Sequence, residues 1–409
     1  MTLHRTSTSD PAQWRWSTVL RAPHRLAFAW AQTVLLFASS WWLMEHLARS
    51  GWLSAAWSFQ PMLSSTVVHS VAMTFGFIPL FFSGFLFTAG PKWLGVAAPN
   101  AQALLPATTL QGAGWLLWLV GAYISPWLAV FGGGLAWSGL SITTTLFIRL
   151  LFKSAASEKV HATLVAAASS AGLVCLTGAM VGVMSNRWDL TRVWTLTGLW
   201  MYAVWVYVVV AHRMILFFTS SALQSVAAWR PMWVLYFLVF AVTHKGVSLW
   251  VDFFQWNSPV WTVLSSFLML VTGILLLWLA LIWGMVQSLK IRLLAMLHIG
   301  FLWLGFGFLL DATGHFWTHL TGDPGWALGA MHATTMGFVG SLLLAMVTRV
   351  SCGHGGRPLA ADTFVWSVFW LLQLATCIRI LVTVFETPWY ATLTVLTAGL
   401  WLLVTGACE

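Results

Sequence analysis

Charged side chains are scarce in this sequence. Aspartate, glutamate, lysine and arginine make up only 7% of the 409 residues, whereas 59% are hydrophobic. A soluble domain of this length needs many more polar side chains to cover its surface, so the composition argues against a soluble protein. The formal net charge of +9 would suit nucleic acid, but in a membrane protein it is typical of cytoplasmic loops. We therefore expect a lipid bilayer, and no nucleic acid, as partner.

Cysteine is also scarce, and its spacing excludes several kinds of site. The sequence contains Cys175, Cys352, Cys377 and Cys408, and no C-x-x-C pair. A disulfide framework or a zinc ribbon is therefore not expected. Covalent c-type haem is excluded because there is no C-x-x-C-H motif. The N-terminal region lacks a short apolar core followed by a small-residue cleavage site, so we expect no cleaved signal peptide.

Long apolar runs fill the chain instead and predict an all-α integral membrane protein. A helix needs roughly 20 mostly apolar residues to cross a bilayer, and an open strand cannot satisfy its backbone in lipid. We predict one transmembrane domain over 1–409, with a cytoplasmic segment at 1–25 and a polytopic bundle of about 12 transmembrane helices over 26–407. The predicted helices are 26–48, 64–88, 104–124, 127–149, 161–184, 192–211, 231–251, 258–287, 292–311, 325–349, 363–384 and 388–407.

The basic residues between these helices predict an orientation. With a cytoplasmic N-terminus, nearly all lysines and arginines outside the spans fall on the cytoplasmic side, and only Arg49, Arg187 and Arg192 fall on the other. This bias follows the positive-inside rule, so both termini are predicted to be cytoplasmic. Lys245 and Arg379 are the two basic residues inside predicted spans.

Two histidines occupy similar depths in predicted helices 2 and 10. Both helices enter from the predicted outer side, and a rise of about 1.5 Å per residue puts His69 and His332 roughly 8–10 Å below that boundary. A methionine follows each histidine one helical turn later, at Met73 and Met336. Ionisable side chains are rare in membrane helices and indicate function. We predict that His69 and His332 meet in the bundle, bind a planar cofactor or a haem with a nearby metal, and form the reactive site.

A second group of histidines lies toward the predicted cytoplasmic side. His298 is in predicted helix 9, and His24, His212 and His354 are at helix ends or in loops on that side. We predict that His298 binds a second cofactor or metal, with one of the other three as its partner. The alternative is that each is a hydrogen-bonded histidine at the rim of the bundle.

Three further histidines are candidates for metal binding. His315 and His319 are one helical turn apart in the predicted loop between helices 9 and 10. That spacing fits an i,i+4 metal pair, but histidines near the surface are often simply solvated. His244 lies deep in predicted helix 7 beside Lys245, where a polar network or a proton path is an equally good interpretation.

The positions of the acidic residues distinguish between classes of site. A zinc hydrolase needs three fixed ligands and often a glutamate base, and a proton-coupled carrier usually has buried carboxylates. Here the acids fall near helix ends or in loops, including Asp252 and Asp311 at predicted outer ends. Neutral imidazole suits haem iron instead, so we predict non-covalent haem. Arg349 and Arg357 flank a glycine-rich loop; they could pair with haem propionates, or positive-inside placement could explain them.

Several short motifs together resemble the NnrS family. The longest is TRVSCGHGGRPL at 348–359, preceded by Met331-His332-Ala333 and Met336-Gly337. The others are Pro23-His24-Arg25, GFLFTA at 84–89 with Pro91 and Trp93, His212-Arg213-Met214-Ile215 with FFT at 217–219, and Leu297-His298. The resemblance covers residues 20 to 360 and depends on the motifs in combination.

The resemblance implies a bacterial inner-membrane protein of twelve helices that contains haem and copper and acts in denitrification or the nitric oxide stress response. The cofactors it implies are one or two haem b groups with copper as an additional metal, and the partners are nitric oxide and an unidentified electron donor. In one departure from the family, Val71 and Ala72 stand where further histidine and glutamate are common.

Three functions remain open at this point. The leading hypothesis is a haem protein that binds nitric oxide and reduces it, converting two NO to N₂O, which would make it a nitric oxide reductase. The second is a haem-based protein that senses or sequesters nitric oxide without turning it over. The third is a transporter with structural histidines.

Overall fold

Each predicted apolar segment coincides with a helix in the structure, a computed structural model that describes residues 22–53, 60–223, 229–322, 326–354, 358–385 and 387–407. Eleven helices in these ranges are long and apolar enough to cross a membrane. They are α1 (Pro23–Arg49), α2 (Ser65–Leu94), α3 (Ala101–Ile124), α4 (Pro126–Lys153), α5 (Val160–Met184), α6 (Trp188–Ala222), α7 (Met232–Phe253), α8 (Pro259–Ile282), α9 (Arg292–Thr321), α10 (Trp326–Gly353) and α11 (Thr363–Val384).

A twelfth apolar helix, α12 (Tyr390–Gly406), is shorter and has 17 residues. The described ranges contain no β-strand, so the prediction of an all-α multi-pass membrane protein is confirmed. The first 21 residues, which make up most of the predicted N-terminal segment, lie outside the described residues. The cytoplasmic placement of both termini stays a prediction.

Helices α2, α6 and α10 change their backbone geometry partway along. Helix α2 is interrupted at Gly76, where a Cβ would lie 2.3 Å from the carbonyl oxygen of Ala72, so a larger residue would force the backbone to shift. Helices α6 and α10 contain wide π-helical turns at Leu199–Val204 and Ala333–Gly340. Such turns occur frequently at functional sites, and the one in α10 begins directly after His332.

Helices α3 and α4 approach each other closely along glycines. A Cβ added to Gly114 would lie 2.5 Å from the carbonyl oxygen of Gly132, and one added to Gly132 would lie 2.6 Å from that of Gly114. Apolar burial gives membrane helices little reason to associate in lipid, so close backbone packing supplies van der Waals energy instead.

Helices that cross a membrane one after another alternate in direction, which gives the bundle two ends that we name after their histidines. The His69 end is where α1 ends and where α2 and α10 begin. The His298 end is where α1, α5 and α9 begin. The two histidine groups predicted from the sequence fall at these two ends, with His69 and His332 near the starts of α2 and α10, and His24 and His298 near the starts of α1 and α9.

The prediction that His315 and His319 lie in a loop is wrong, because α9 continues to Thr321. Polar residues lower the hydropathy after position 310, but they leave the helical backbone intact. Asp311 was expected at a helix end; it is instead buried within α9 and forms an ion pair with the side chain of Lys245 in α7. The pair lets two neighbouring helices each carry a charge inside the bundle, since each charge compensates the other.

Candidate functional site

A cavity opens at the His69 end between α1, α2, α6, α10, α11 and α12. It holds about 920 Å³ of space, counting its open side, which lies within the range of about 300–1,000 Å³ typical of small-molecule sites. Three imidazoles and one guanidinium line it, those of His46, His69, His332 and Arg379. We call it the histidine cavity. It brings together the two histidines that the sequence placed at similar depth on different helices.

Trp42 of α1 orients the ring of His69. The two rings are stacked, with centroids 3.9 Å apart and planes 15° apart. The same indole meets the ring of His46 edge-on at 4.5 Å, and the guanidinium of Arg49 lies 5.4 Å from its centre. The ring nitrogens of His69 have no hydrogen bond to any described residue, so stacking holds the ring in place while its nitrogens remain available to a ligand.

The hydrogen bonds of His332 fix its tautomer. Its Nδ1 lies 2.7 Å from the carbonyl oxygen of Leu328, one turn earlier in α10. A carbonyl oxygen only accepts, so Nδ1 carries the proton and Nε2 keeps its lone pair. Arg379 Nε donates to that Nε2 across 3.4 Å. Histidines that bind metals commonly donate their other ring N–H to a backbone carbonyl in this way.

The remaining walls of the cavity are mostly apolar. Met73 and Met336, each one turn after its histidine, both line it together with Met331. Phe77 and Val339 add flat and branched hydrophobic surface. A mostly apolar cavity with a few polar groups is typical of ligand-binding sites. The flexible thioether side chains of methionine can adapt to ligands of irregular shape.

At the His298 end, Glu158, His161 and His212 form a continuous series of hydrogen bonds that we call the histidine chain. His161 Nδ1 lies 3.1 Å from Glu158 Oε1, and His161 Nε2 lies 3.0 Å from His212 Nδ1. His212 Nε2 lies 3.3 Å from the carbonyl oxygen of Pro231. Every ring nitrogen in the chain therefore has a protein partner, unlike those of His69.

Glu158 connects this chain to the surface from the loop between α4 and α5. Arg213 Nη1 donates to Glu158 Oε2 across 2.7 Å. Burial favours the neutral carboxyl, but hydrogen bonds from His161 and Arg213 outweigh it and lower the pKa of Glu158 to about 2. The carboxylate is therefore ionised at neutral pH and ties α5 to α6.

The other candidates at this end are dispersed. His298 is fully buried; its Nε2 lies 2.9 Å from Thr219 Oγ1, whereas its Nδ1 has no hydrogen-bond partner among the described residues. His24 is buried in the first turn of α1. His354 ends a helix, but its side chain lies outside the described residues, and so does all of Arg357.

An apolar cavity of about 530 Å³ lies near these histidines, between α1, α2, α6, α9 and α10. Its walls include Ala211 and Leu297, the sequence neighbours of His212 and His298. Within the described residues none of its walls is a histidine. Arg349 lies at the same end, with its guanidinium 3.6 Å from the centre of the Phe218 ring.

The three additional metal candidates are not part of a metal-binding cluster among the described residues. His244 Nε2 lies 3.2 Å from Ser265 Oγ, His315 Nε2 lies 4.0 Å from Asp311 Oδ1, and His319 is exposed near the end of α9. Across the described ranges, no group of three or more histidine, cysteine or acidic side chains is arranged to hold a metal ion.

Sequence reasoning missed several residues of the two sites. Trp42, His46 and Arg49 follow an i, i+4, i+7 spacing in α1, which places them on one helix face. Arg379 was recognised as a basic residue inside a span but was given no role. No local pattern in the sequence connects His161 to His212, because their contact joins two helices.

The fold and the histidine cavity define a multi-pass helical membrane protein with an imidazole-lined internal site. More particularly, the chain belongs to the NnrS family: the family model described as NnrS protein matches residues 18–408, nearly the whole sequence. Membership is consistent with a role in the nitric oxide response. Neither the curated proteins nor the solved structures compared with the chain gave a match.

Proposed function

We propose that the histidine cavity binds haem b and that the protein uses it to bind nitric oxide and reduce it to nitrous oxide. The observation that carries the proposal is that His69 and His332, from different membrane helices, line one cavity. We further propose that the protein acts in the inner membrane of a bacterium, in denitrification or nitrosative-stress defence. An electron donor then has to supply the reducing equivalents.

The side chains present in the cavity fit a haem. Imidazole nitrogen is the common protein ligand of haem b iron, and His332 Nε2 has the required lone pair because Nδ1 is committed to Leu328. The apolar walls suit a porphyrin face. The buried Nη1 of Arg379, which has no partner in the described part of the chain, suits the acidic edge of the same cofactor.

When bound, haem iron would supply the nitric oxide binding site and pass on electrons, so that two NO, two electrons and two protons give N₂O and H₂O. His332 Nε2 would hold the cofactor, and His69 would be the second nitrogen donor at the site. Trp42 would keep the His69 ring in one plane, and the apolar walls would limit access of water. Copper would use an imidazole nitrogen of the cavity that does not ligate the haem iron.

Glu45 is our candidate for holding the start of α2 in position beside the cavity. It precedes His46 in α1 and is buried. Its Oε2 accepts a hydrogen bond from Ser65 Oγ at 2.6 Å and its Oε1 accepts one from Tyr123 OH at 2.7 Å. Ser65 lies one helical turn before His69. These two hydrogen bonds tie Glu45 of α1 to the start of α2 and to α3.

The proposal includes a second haem at the His298 end. His298 would be one ligand, with His24 or His354 as its partner in preference to His212, whose two ring nitrogens both contact protein atoms. Arg349 or Arg357 would lie near the propionates. Two observations support it: Nδ1 of the buried His298 lacks a partner among described residues, and an apolar cavity lies beside it.

Turnover by purified protein tests the proposal. The full chain, reduced in detergent and given nitric oxide, is expected to release N₂O much faster than an equal amount of free haem. Stoichiometric binding with no N₂O would favour a sensor or a sequestering protein. A preparation with no Soret band would favour the transporter and contradict the proposal.

A further inference from the structure

Arg379 is a cation inside α11 that has no counter-charge among the described residues. No carboxylate in the described residues lies within ion-pair distance of it, its Nη1 is buried without a partner, and its side chain donates only the long bond to His332 Nε2. A charge inside a membrane span is costly unless something pairs with it.

The same chain shows how it compensates such a charge elsewhere. Lys245, the other basic residue predicted inside a span, pairs with the buried carboxylate of Asp311. Of the described residues that line the histidine cavity, none is an aspartate or a glutamate. The positive charge of Arg379 is therefore not compensated by the described walls of the cavity.

The chemistry of the guanidinium indicates what would complete the site. Its parallel N–H donors match a carboxylate or another planar oxyanion. Thr394 and Thr397 also line the cavity; both hydroxyls donate to their own helix backbone, which leaves oxygen lone pairs rather than a negative charge beside the arginine.

The contact with His332 strengthens the argument. Nε2 cannot accept a hydrogen bond from Arg379 and ligate a metal at the same time. A metal at Nε2 would displace the guanidinium and add a second positive charge next to it. A ligand that brings its own negative oxygen atoms would compensate both charges.

We infer that Arg379 binds a carboxylate or another planar oxyanion that belongs to the ligand of the histidine cavity. The inference rests on the proposed function only for the source of that group. If the cavity holds haem b, the group is a haem propionate; otherwise it is a small free oxyanion such as nitrite.

Changing the ligand tests the inference without changing the protein. Haem b and its dimethyl ester have the same iron and the same porphyrin, but the ester lacks both negative charges. Haem-free full-length protein in detergent is titrated with each form, and the Soret band is followed. The wild type is expected to bind haem b at least about 10-fold more tightly than the ester, as one lost charge-assisted hydrogen bond predicts.

The protein-side variants assign that preference to one residue. In Arg379→Gln the two haem forms are expected to bind with affinities within about 2-fold of each other. Arg379→Lys should keep part of the preference for haem b, because lysine keeps the positive charge but lacks the parallel N–H donors of arginine. Arg187→Gln is the matched control, since Arg187 is exposed and pairs with Asp189. It should retain the wild-type preference.

The outcomes separate this inference from the haem proposal. Equal affinity of the wild type for both haem forms overturns the inference and leaves haem binding intact. Binding of neither form contradicts the haem proposal, and the haem-free protein is then titrated calorimetrically with nitrite. Nitrite binding that disappears in Arg379→Gln supports a small oxyanion, and no nitrite binding by the wild type overturns the inference.

Discussion

The histidine cavity and the histidine chain use the same side chain in opposite ways. In the cavity, His69 stacks on Trp42 without a hydrogen bond to a described residue, and His332 Nε2 accepts only a long hydrogen bond of 3.4 Å from Arg379. In the histidine chain, His161 and His212 are less exposed to solvent, and all their ring nitrogens contact protein atoms. Both arrangements lie in a bundle with few charges.

The difference shows that burial alone does not identify a ligand-binding histidine. Buried polar groups are normally hydrogen-bonded, so a histidine with both nitrogens satisfied is accounted for by the fold. A histidine that faces empty space with an available nitrogen is not, and it calls for a ligand.

Removing either cavity histidine should have the largest effect. Because His332 and His69 are the proposed nitrogen donors, His332→Ala and His69→Ala should each lose most of the haem of the site or change its ligation. Haem per chain is measured as the pyridine haemochrome, together with the reduced spectrum. Full haem content and an unchanged spectrum in both variants would show that the assignment is wrong.

Changing His161 of the histidine chain should reduce the stability of the protein and leave its haem content unchanged. His161→Gln breaks the contact with His212 Nδ1, and an unsatisfied buried group costs about 1–3 kcal/mol. The apparent melting temperature in detergent should fall, while haem per chain matches the wild type. If His161→Gln lost haem but kept its stability, a cofactor would have to bind at the histidine chain. The histidine chain and the histidine cavity would then not differ in ligand binding.

Trp42→Leu should moderately weaken haem binding in the histidine cavity. Stacking of aromatic rings contributes about 0.5–1.5 kcal/mol, so haem affinity should fall by about 2- to 10-fold as the His69 ring gains freedom. Haem titration measures this, with Trp256→Leu as a control because Trp256 is exposed outside the cavity. Equal affinities for the two variants would mean that the stacked ring does not position a ligand.

The smallest effect should come from Glu158→Gln and should depend on pH. The pKa of Glu158 is lowered to about 2 from its usual value of 4.5, so its ionised form stabilises the fold above about pH 4.5, and that contribution is lost as pH falls toward 2. The wild type should melt slightly above the variant at pH 7, by a margin that shrinks on acidification. Partial exposure keeps the margin small; a margin that does not change with acid would contradict the assigned hydrogen bonds.

The helical architecture could be predicted from the sequence because lipid leaves few alternatives for a long apolar segment. The predicted helix boundaries were wrong where a helix continues through polar residues. Asp311 and His315 lowered the hydropathy of α9, and the helix nevertheless extends to Thr321 because Lys245 of α7 compensates Asp311. That partner lies 66 positions away, so no local pattern could reveal it.

Only part of the candidate site could be predicted, because contacts between helices are not visible in a local sequence pattern. Depth along a helix follows from topology, so His69 and His332 could be placed at one level. Which residues surround them depends on how helices rotate and pack, and the sequence therefore gave no role to Arg379 and did not identify Trp42 or His46. The histidine chain was missed because His161 and His212 are 51 positions apart.

The most direct test of the central claim is haem and metal analysis of the full-length wild-type protein, purified in detergent after expression with ample iron and porphyrin. The account predicts a Soret band, at least one non-covalent haem b per chain, and a spectral shift when nitric oxide is added to the reduced protein. A correctly folded but colourless protein that gives no spectral response to added haem would contradict it.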